Sequence, residues 1–243
     1  MAIMLFTDFG SHDLYVGQVK AVLARDAPDI SAIDLLNEVF PFAIEAAAHL
    51  LASLVPECPQ GSVVLAVVDP GVGGLREPVV LRADGYRFVG PDNGLLSVFA
   101  ARAAHPEVFR IAWRPERLSA SFHGRDLFAP VAARVAMDDV PEGWLLPLPG
   151  LSVDFGAGNL PEIIHIDHYG NAMTGIRGGA VHRDAELVVN GHRLQYARVF
   201  SAAARGDAFW YENSQGLVEV AVNQGSAAEN LKLSVGTPVQ AAK

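Results

Sequence analysis

Three short apolar runs in this chain each stop at a carboxylate. Residues 2–6 lead into Thr7-Asp8-Phe9-Gly10, residues 63–68 into Asp69-Pro70-Gly71-Val72-Gly73, and residues 163–166 into Asp167. A continuous apolar run of this length reads as a strand buried on both faces, as in a sheet covered by helices. Open sheets of that kind bind ligands beyond the carboxyl ends of their strands. Polar, glycine-bearing motifs at those ends therefore predict a site assembled from segments far apart in sequence.

The surrounding pattern agrees. Strand-like runs over 3–6, 31–35, 63–68, 79–82 and 87–89 alternate with helical apolar spacing over 13–25 and 42–54, with Pro41 as a first-turn proline of the second helix. Further helices are predicted over 93–103 and 125–137. Such alternation argues for an α/β domain whose strands are joined by crossovers in a largely parallel sheet. From 139 to 161 the periodicity fails, with Pro141, Pro147, Pro149, Gly150, Gly156, Gly158 and Pro161 punctuating the stretch, which reads as a linker. Beyond it, short candidate strands over 162–166, 186–189, 209–212 and 216–222 predict a smaller β-rich domain. The expected division is 1–150 and 160–243, an α/β amino-terminal domain followed by a smaller β-barrel-like carboxy-terminal domain.

Charge and cysteine usage exclude several function classes. A net charge of -9 disfavours nucleic acid as a partner, since phosphate binding needs clustered Lys and Arg. Cys58 stands alone, which rules out an intramolecular disulfide and a thiolate-rich metal site. The apolar stretch after Met1 is too short for a secretory leader, and no run approaches the roughly twenty apolar residues of a membrane span. The expectation is a cytoplasmic protein with no membrane partner.

Taken singly, each motif has a structural reading beside the chemical one. Asp8 can accept two hydrogen bonds from a ribose diol or cap the following helix. The glycines of 69–76 let a loop bend beside a ligand, but Asp-Pro-Gly is also ordinary turn chemistry. That loop lacks the Gly-Lys-Ser/Thr ending of a triphosphate loop. His123 precedes a helix amino terminus, where backbone N–H groups favour an anion, yet single histidines are more often packing residues. Residues 167–171 suit a hairpin turn as well as a ligand contact.

Read together with Phe122-His123-Gly124-Arg125-Asp126 and His165-Ile166-Asp167-His168-Tyr169-Gly170-Asn171, these motifs resemble, in order from Thr7 to about Leu231, the S-adenosylmethionine hydrolases of the hydroxide adenosyltransferase family. That family is related to the enzymes that make fluoro- and chloro-adenosine. The resemblance implies that Asp69, Arg76 and His123 position and activate water, while Asp8 holds the ribose. It implies that Phe42 and Phe200 flank the adenosine, that Asp167 pairs with the methionine ammonium, and that Asn171 meets the adenine edge. Ser214, in the turn 213–216, would grip the methionine carboxylate, and the loop 225–228 with Ser226 and Ala227 would meet adenine through its backbone. Ser226 stands where relatives commonly have Asn, which separates its side chain from the family pattern. No metal or redox cofactor is implied, and the site is expected between the first domain of one subunit and the second domain of a neighbour in a homotrimer.

The implied reaction is attack of water at the ribose C5′, releasing adenosine and methionine. A sulfonium leaves as a neutral thioether and needs no acid, but water, with a pKa of about 15.7, needs a base or cationic surroundings. Either Asp69 or His123 could take the proton. Two alternatives remain: halide transfer giving 5′-chloroadenosine, and a non-catalytic protein that binds S-adenosylmethionine or adenosine. The fluorinating relatives carry Tyr at the position of Asp69 and Tyr-Ser at His123-Gly124, so the resemblance points to hydroxide as the nucleophile.

Overall fold

In a computed structural model that describes residues 1–242, strand β1 (Ala2–Thr7) is buried along its whole length, as a continuous apolar run between two covered faces must be. The first unit, Met1–Ala157, continues with α1 (Leu14–Asp26), β2 (Ser31–Leu36), α2 (Ile44–Leu54), β3 (Val63–Val67), β4 (Pro78–Ala83), β5 (Tyr86–Pro91), α3 (Ser97–Arg102), β6 (Glu107–Ile111), α4 (Ala129–Ala136) and β7 (Leu145–Leu148). A single π-helical turn, Gly124–Phe128, opens α4. The strands form one sheet in the order β2-β1-β3-β5-β4-β6-β7. Strands β2, β1, β3, β5 and β6 run one way and β4 and β7 the other, so the sheet is mainly parallel.

Local chemistry explains the element ends. The Asp13 carboxylate caps α1 by accepting from Leu14 N at 2.6 Å, and Val16, Val19 and Leu23 turn one helical stripe inward. That stripe shares a core with Ile3 and Leu5 of β1, Val63 and Leu65 of β3, and Val131 and Val135 of α4. The antiparallel strand β4 departs from the crossovers expected of this domain. Asp84 and Gly85, at φ 48° and 82°, close a two-residue hairpin onto β5.

Three expectations for this unit need correction. Helix α2 begins at Ile44 with Pro41 outside it, and Phe42 has φ 67°. Helix α3 is shorter than 93–103, because Asn93 Nδ2 donates to Val68 O at 2.8 Å and Gly94, at φ 101°, turns the chain before Ser97. The stretch 139–161 is mostly part of the first unit: β7 pairs with β6, and Ser152 N and Oγ donate to the buried Asp92 carboxylate.

The second unit, Gly158–Lys243, contains β8 (Leu160–Ile166), β9 (Ala172–Arg177), β10 (Glu186–Val189), β11 (His192–Leu194), β12 (Ala208–Glu212), β13 (Leu217–Val222), α5 (Ala227–Asn230) and β14 (Val239–Ala242). Its antiparallel strands form two sheets, β12-β13-β9-β8 and β11-β10-β14. The expected barrel is not closed. Leu187 and Val189 of one sheet and Trp210, Val218 and Val220 of the other fill a shared core, so the apolar faces are covered without a continuous ladder. Among the described residues no helix is long and apolar enough to cross a membrane.

Candidate active site

In the first unit, β1 and β3 are parallel neighbours, so Asp8 and Asp69 leave adjacent strands at the same carboxyl edge. The loop after Asp69 folds back through two successive turns, Val72 N donating to Asp69 O at 3.2 Å and Gly74 N to Gly71 O at 2.9 Å. Gly73 sits at φ 78° against the Ala120 carbonyl, where a Cβ would collide with that oxygen. These turns return Arg76 to Asp69. Its Nε donates to both carboxylate oxygens, at 3.1 and 3.0 Å, and its Nη2 donates to Oδ2.

The same Nη2 lies 3.0 Å from His123 Nδ1, and the guanidinium carbon is 5.3 Å from the centre of the Phe128 ring. The side chains of Arg76 and Asp69 are only 10% and 5% exposed. The structure thus brings Asp69, Arg76 and His123 into one buried cluster from two distant segments. Because an arginine can only donate, His123 Nδ1 must be the acceptor, and the ring proton belongs on Nε2. Burial and the adjacent Arg76 hold the His123 pKa below its ordinary value, keeping the ring neutral. His123 presents an N–H donor, and the cluster's acceptor is the Asp69 carboxylate.

Asp8 does not cap α1, a role taken by Asp13. Burial raises its pKa, its own backbone N–H lowers it, and Asp69 raises it further. It lines a cavity of about 570 Å³ with Phe9, Tyr15, Gln18, Phe122 and Arg125. Phe42 is 75% exposed. Gly124, after His123, packs under the Phe9 ring, where a Cβ would lie 2.8 Å from Cζ.

In the second unit, Asp167 lies in the turn between β8 and β9 rather than at the edge of the α/β sheet, correcting the grouping of three strand-end carboxylates. Its Oδ1 accepts from Tyr169 N at 2.9 Å and Asn171 N at 2.8 Å, and its Oδ2 accepts from Asn171 Nδ2 at 2.9 Å. Asp167 and Asn171 are therefore brought together and already organise their own turn. Ala228 N donates to Gly170 O at 2.9 Å, tying this turn to the loop 225–228. Ser226 Oγ caps α5, accepting from Glu229 N at 3.1 Å, and the Ala227 side chain is fully buried in the core. Phe200 packs edge-on against Phe209 and Tyr211, with ring centres 5.2 and 5.5 Å away. Ser214 is exposed in the turn between β12 and β13.

One group here has no signal in the sequence. Glu219, 2% exposed in β13, accepts from Asn213 Nδ2 at 2.7 Å and from the Tyr211 hydroxyl. Burial raises its pKa despite both donors, and Asp167 adds to the rise. Among the described residues no group of three or more His, Cys, Asp or Glu side chains is arranged to hold a metal ion.

A buried carboxylate, guanidinium and imidazole at the edge of an α/β sheet, followed by an antiparallel domain with its own polar turns, define the class as a two-domain α/β enzyme. The chain belongs to the SAM hydroxide adenosyltransferase family, whose N-terminal domain matches residues 3–143 and whose C-terminal domain matches residues 161–240. It is similar to an (R)-S-adenosyl-L-methionine hydrolase of Thermus thermophilus, 38% identical with 98% of each chain covered. A fluorinase of Nocardia brasiliensis is more distant, at 23% identity over 98% of this chain and 95% of the relative. The crystal structure of an uncharacterized conserved protein from Thermotoga maritima has TM-score 0.89 and 32% identity, covering 99% of this chain and 100% of the other.

Proposed function

We propose that this protein hydrolyses (R)-S-adenosyl-L-methionine to adenosine and L-methionine. The observation that carries the reading is the closed contact of Asp69, Arg76 and His123 in a chain 38% identical, end to end, to a hydrolase of that name. Water attacks C5′, the C5′–sulfur bond breaks with its electron pair passing to sulfur, and neutral methionine leaves. His123 Nε2–H donates to the attacking oxygen, Arg76 offsets the charge developing there, and Asp69 accepts the proton. A donor and a cation beside the water lower the cost of forming hydroxide, whose charge is then consumed as the C5′–oxygen bond forms, and alignment with the C5′–sulfur bond adds an orientation gain. The sulfonium is already an activated leaving group, so no metal or redox cofactor is required, and a chelator should leave the rate unchanged.

Halide transfer is disfavoured because Gly124 lacks the serine hydroxyl that the fluorinating relatives carry at this position. A serine at position 124 would press its Cβ into the Phe9 ring, which itself packs edge-on against Phe122 at 5.7 Å. Asp8 is the ribose-binding residue of this reading, since a desolvated carboxylate without a partner side chain gains most from two hydroxyl donors. Phe42 and Phe200 flank the adenosine, Asp167 and Ser214 hold the amino-acid end, and Asn171 meets adenine alongside the backbone of Ser226 and Ala227. The reading extends to a cytoplasmic homotrimer with sites at subunit interfaces, testable by light scattering on the eluting protein.

The test of function is chromatography of products from each sulfonium epimer, with and without chloride. Adenosine and methionine in equal amounts, formed faster from the (R) epimer, are expected. Chloroadenosine, or saturable binding with no turnover, would replace the proposal.

A further inference from the structure

Burying a carboxylate without a cation is costly, and Glu219 is such a group. Among the described residues neither it nor Asp167 forms an ion pair. Strand β13 lies inside its sheet, between β12 and β9, and is buried along its whole length on both faces, so Glu219 has no open face to turn to. Its two oxygens are committed separately. One accepts the Tyr211 hydroxyl, the residue paired with it across β12, and the other accepts Asn213 Nδ2 at 2.7 Å.

The second bond fixes the Asn213 amide, because Asn213 Oδ1 accepts from Gln215 N and Leu217 N, both at 3.0 Å. Asn213 thereby clamps the turn that carries Ser214. The first bond fixes polarity. A hydroxyl has one proton, and with that proton given to Glu219 the Tyr211 oxygen has only lone pairs left to offer. Asp167 lies near enough to raise the pKa of both Tyr211 and Glu219. The accessible polar atoms of this cluster are therefore acceptors under negative potential, a surrounding that suits a donor-rich cation such as a primary ammonium.

We infer that Glu219 is a positioning residue that commits the Tyr211 oxygen to accept from the α-ammonium of the substrate, beside Asp167, and holds the Ser214 turn in place. The inference rests on the hydrolase reading above. Glu219→Gln replaces one acceptor with a donor and breaks the polarity sorting, while Tyr211→Phe removes the oxygen and leaves the carboxylate.

The test measures KM and kcat for S-adenosylmethionine and, for the same proteins, Ki of a sulfonium analogue that lacks only the α-amino group. In both variants KM should rise at least tenfold, kcat should stay within threefold, and Ki for the analogue should move less than threefold. A parallel rise of KM and Ki, or no rise in either, overturns the inference and leaves Glu219 a structural group. If Glu219→Gln does not fold, Tyr211→Phe decides on the same comparison. A wild-type protein that does not hydrolyse S-adenosylmethionine would remove the underlying reading along with the inference; active wild type with KM and Ki moving together removes the inference alone.

Discussion

Replacing His123 by Asn and by Gln separates the donor role from that of a general base. The Asn carbonyl can sit where Nδ1 now accepts from Arg76 at 3.0 Å, but the variant has nothing at the Nε2 position. The Gln amide reaches the Nε2 position with an N–H and gives up the Nδ1 acceptor. Losing one charge-assisted hydrogen bond to the hydroxide as it forms costs about 1.5–3 kcal/mol, a factor of roughly 10–10² in kcat. His123→Asn should fall in that range, and His123→Gln should retain at least about tenfold more activity, roughly 1.4 kcal/mol. Asp69→Asn, which removes the proton acceptor, should lose about 10²–10⁴.

The pH dependence follows from the lowered His123 pKa. Burial and Arg76 keep the ring neutral further into the acid range than an ordinary imidazole, and it protonates as pH falls below the usual histidine value. Protonation removes the Nδ1 acceptor and sets a second cation against Arg76, so the cluster's contribution to activity and stability is complete above that value and lost on the acid side. Steady-state kinetics by chromatographic detection of adenosine between pH 5 and 9, with adenosine binding as a check on the site, measure both effects. Equal loss in the Asn and Gln variants, combined with a mild effect of Asp69→Asn, would refute the assignment and make His123 the base.

Asp8→Asn should raise Tm at pH 7, because burial and Asp69 disfavour the ionised carboxylate, and the gain should vanish as pH falls below its pKa. The same variant should lower kcat/KM about ten- to a hundredfold through lost charged hydrogen bonds to ribose, each worth about 1.5–3 kcal/mol. Gly124→Ser should destabilise by about 1–3 kcal/mol, the usual cost of overpacking, and should not yield halogenated product, as thermal melts and product chromatography with chloride will register. Ser226→Ala should cost about 1 kcal/mol of stability in urea melts through loss of the α5 cap.

The segments that carry Asp8 and Asp69 were legible because β1 and β3 are buried on both faces and so have uninterrupted apolar sequences. Contact of Arg76 and His123 was expected only through the family resemblance, since a 47-residue separation carries no local signal. The β4–β5 hairpin did have a signal, Asp84-Gly85, which outweighs the general expectation of crossovers. Asn190-Gly191, at φ 46° and 79°, marks the hairpin between β10 and β11 in the same way. Strand β7 was hidden by Pro147, tolerable because β7 is an edge strand. Glu219 was hidden for the opposite reason: a charged residue in an apolar strand reads as solvent-facing, and only the burial of β13 makes it an interior group.

The most direct test of the account is turnover in 18O-labelled water with mass analysis of both products. Attack at C5′ predicts one labelled oxygen at the 5′ position of adenosine and none in methionine. Unlabelled adenosine, or adenosine formed only with a halogen in place of the 5′ oxygen, would contradict it.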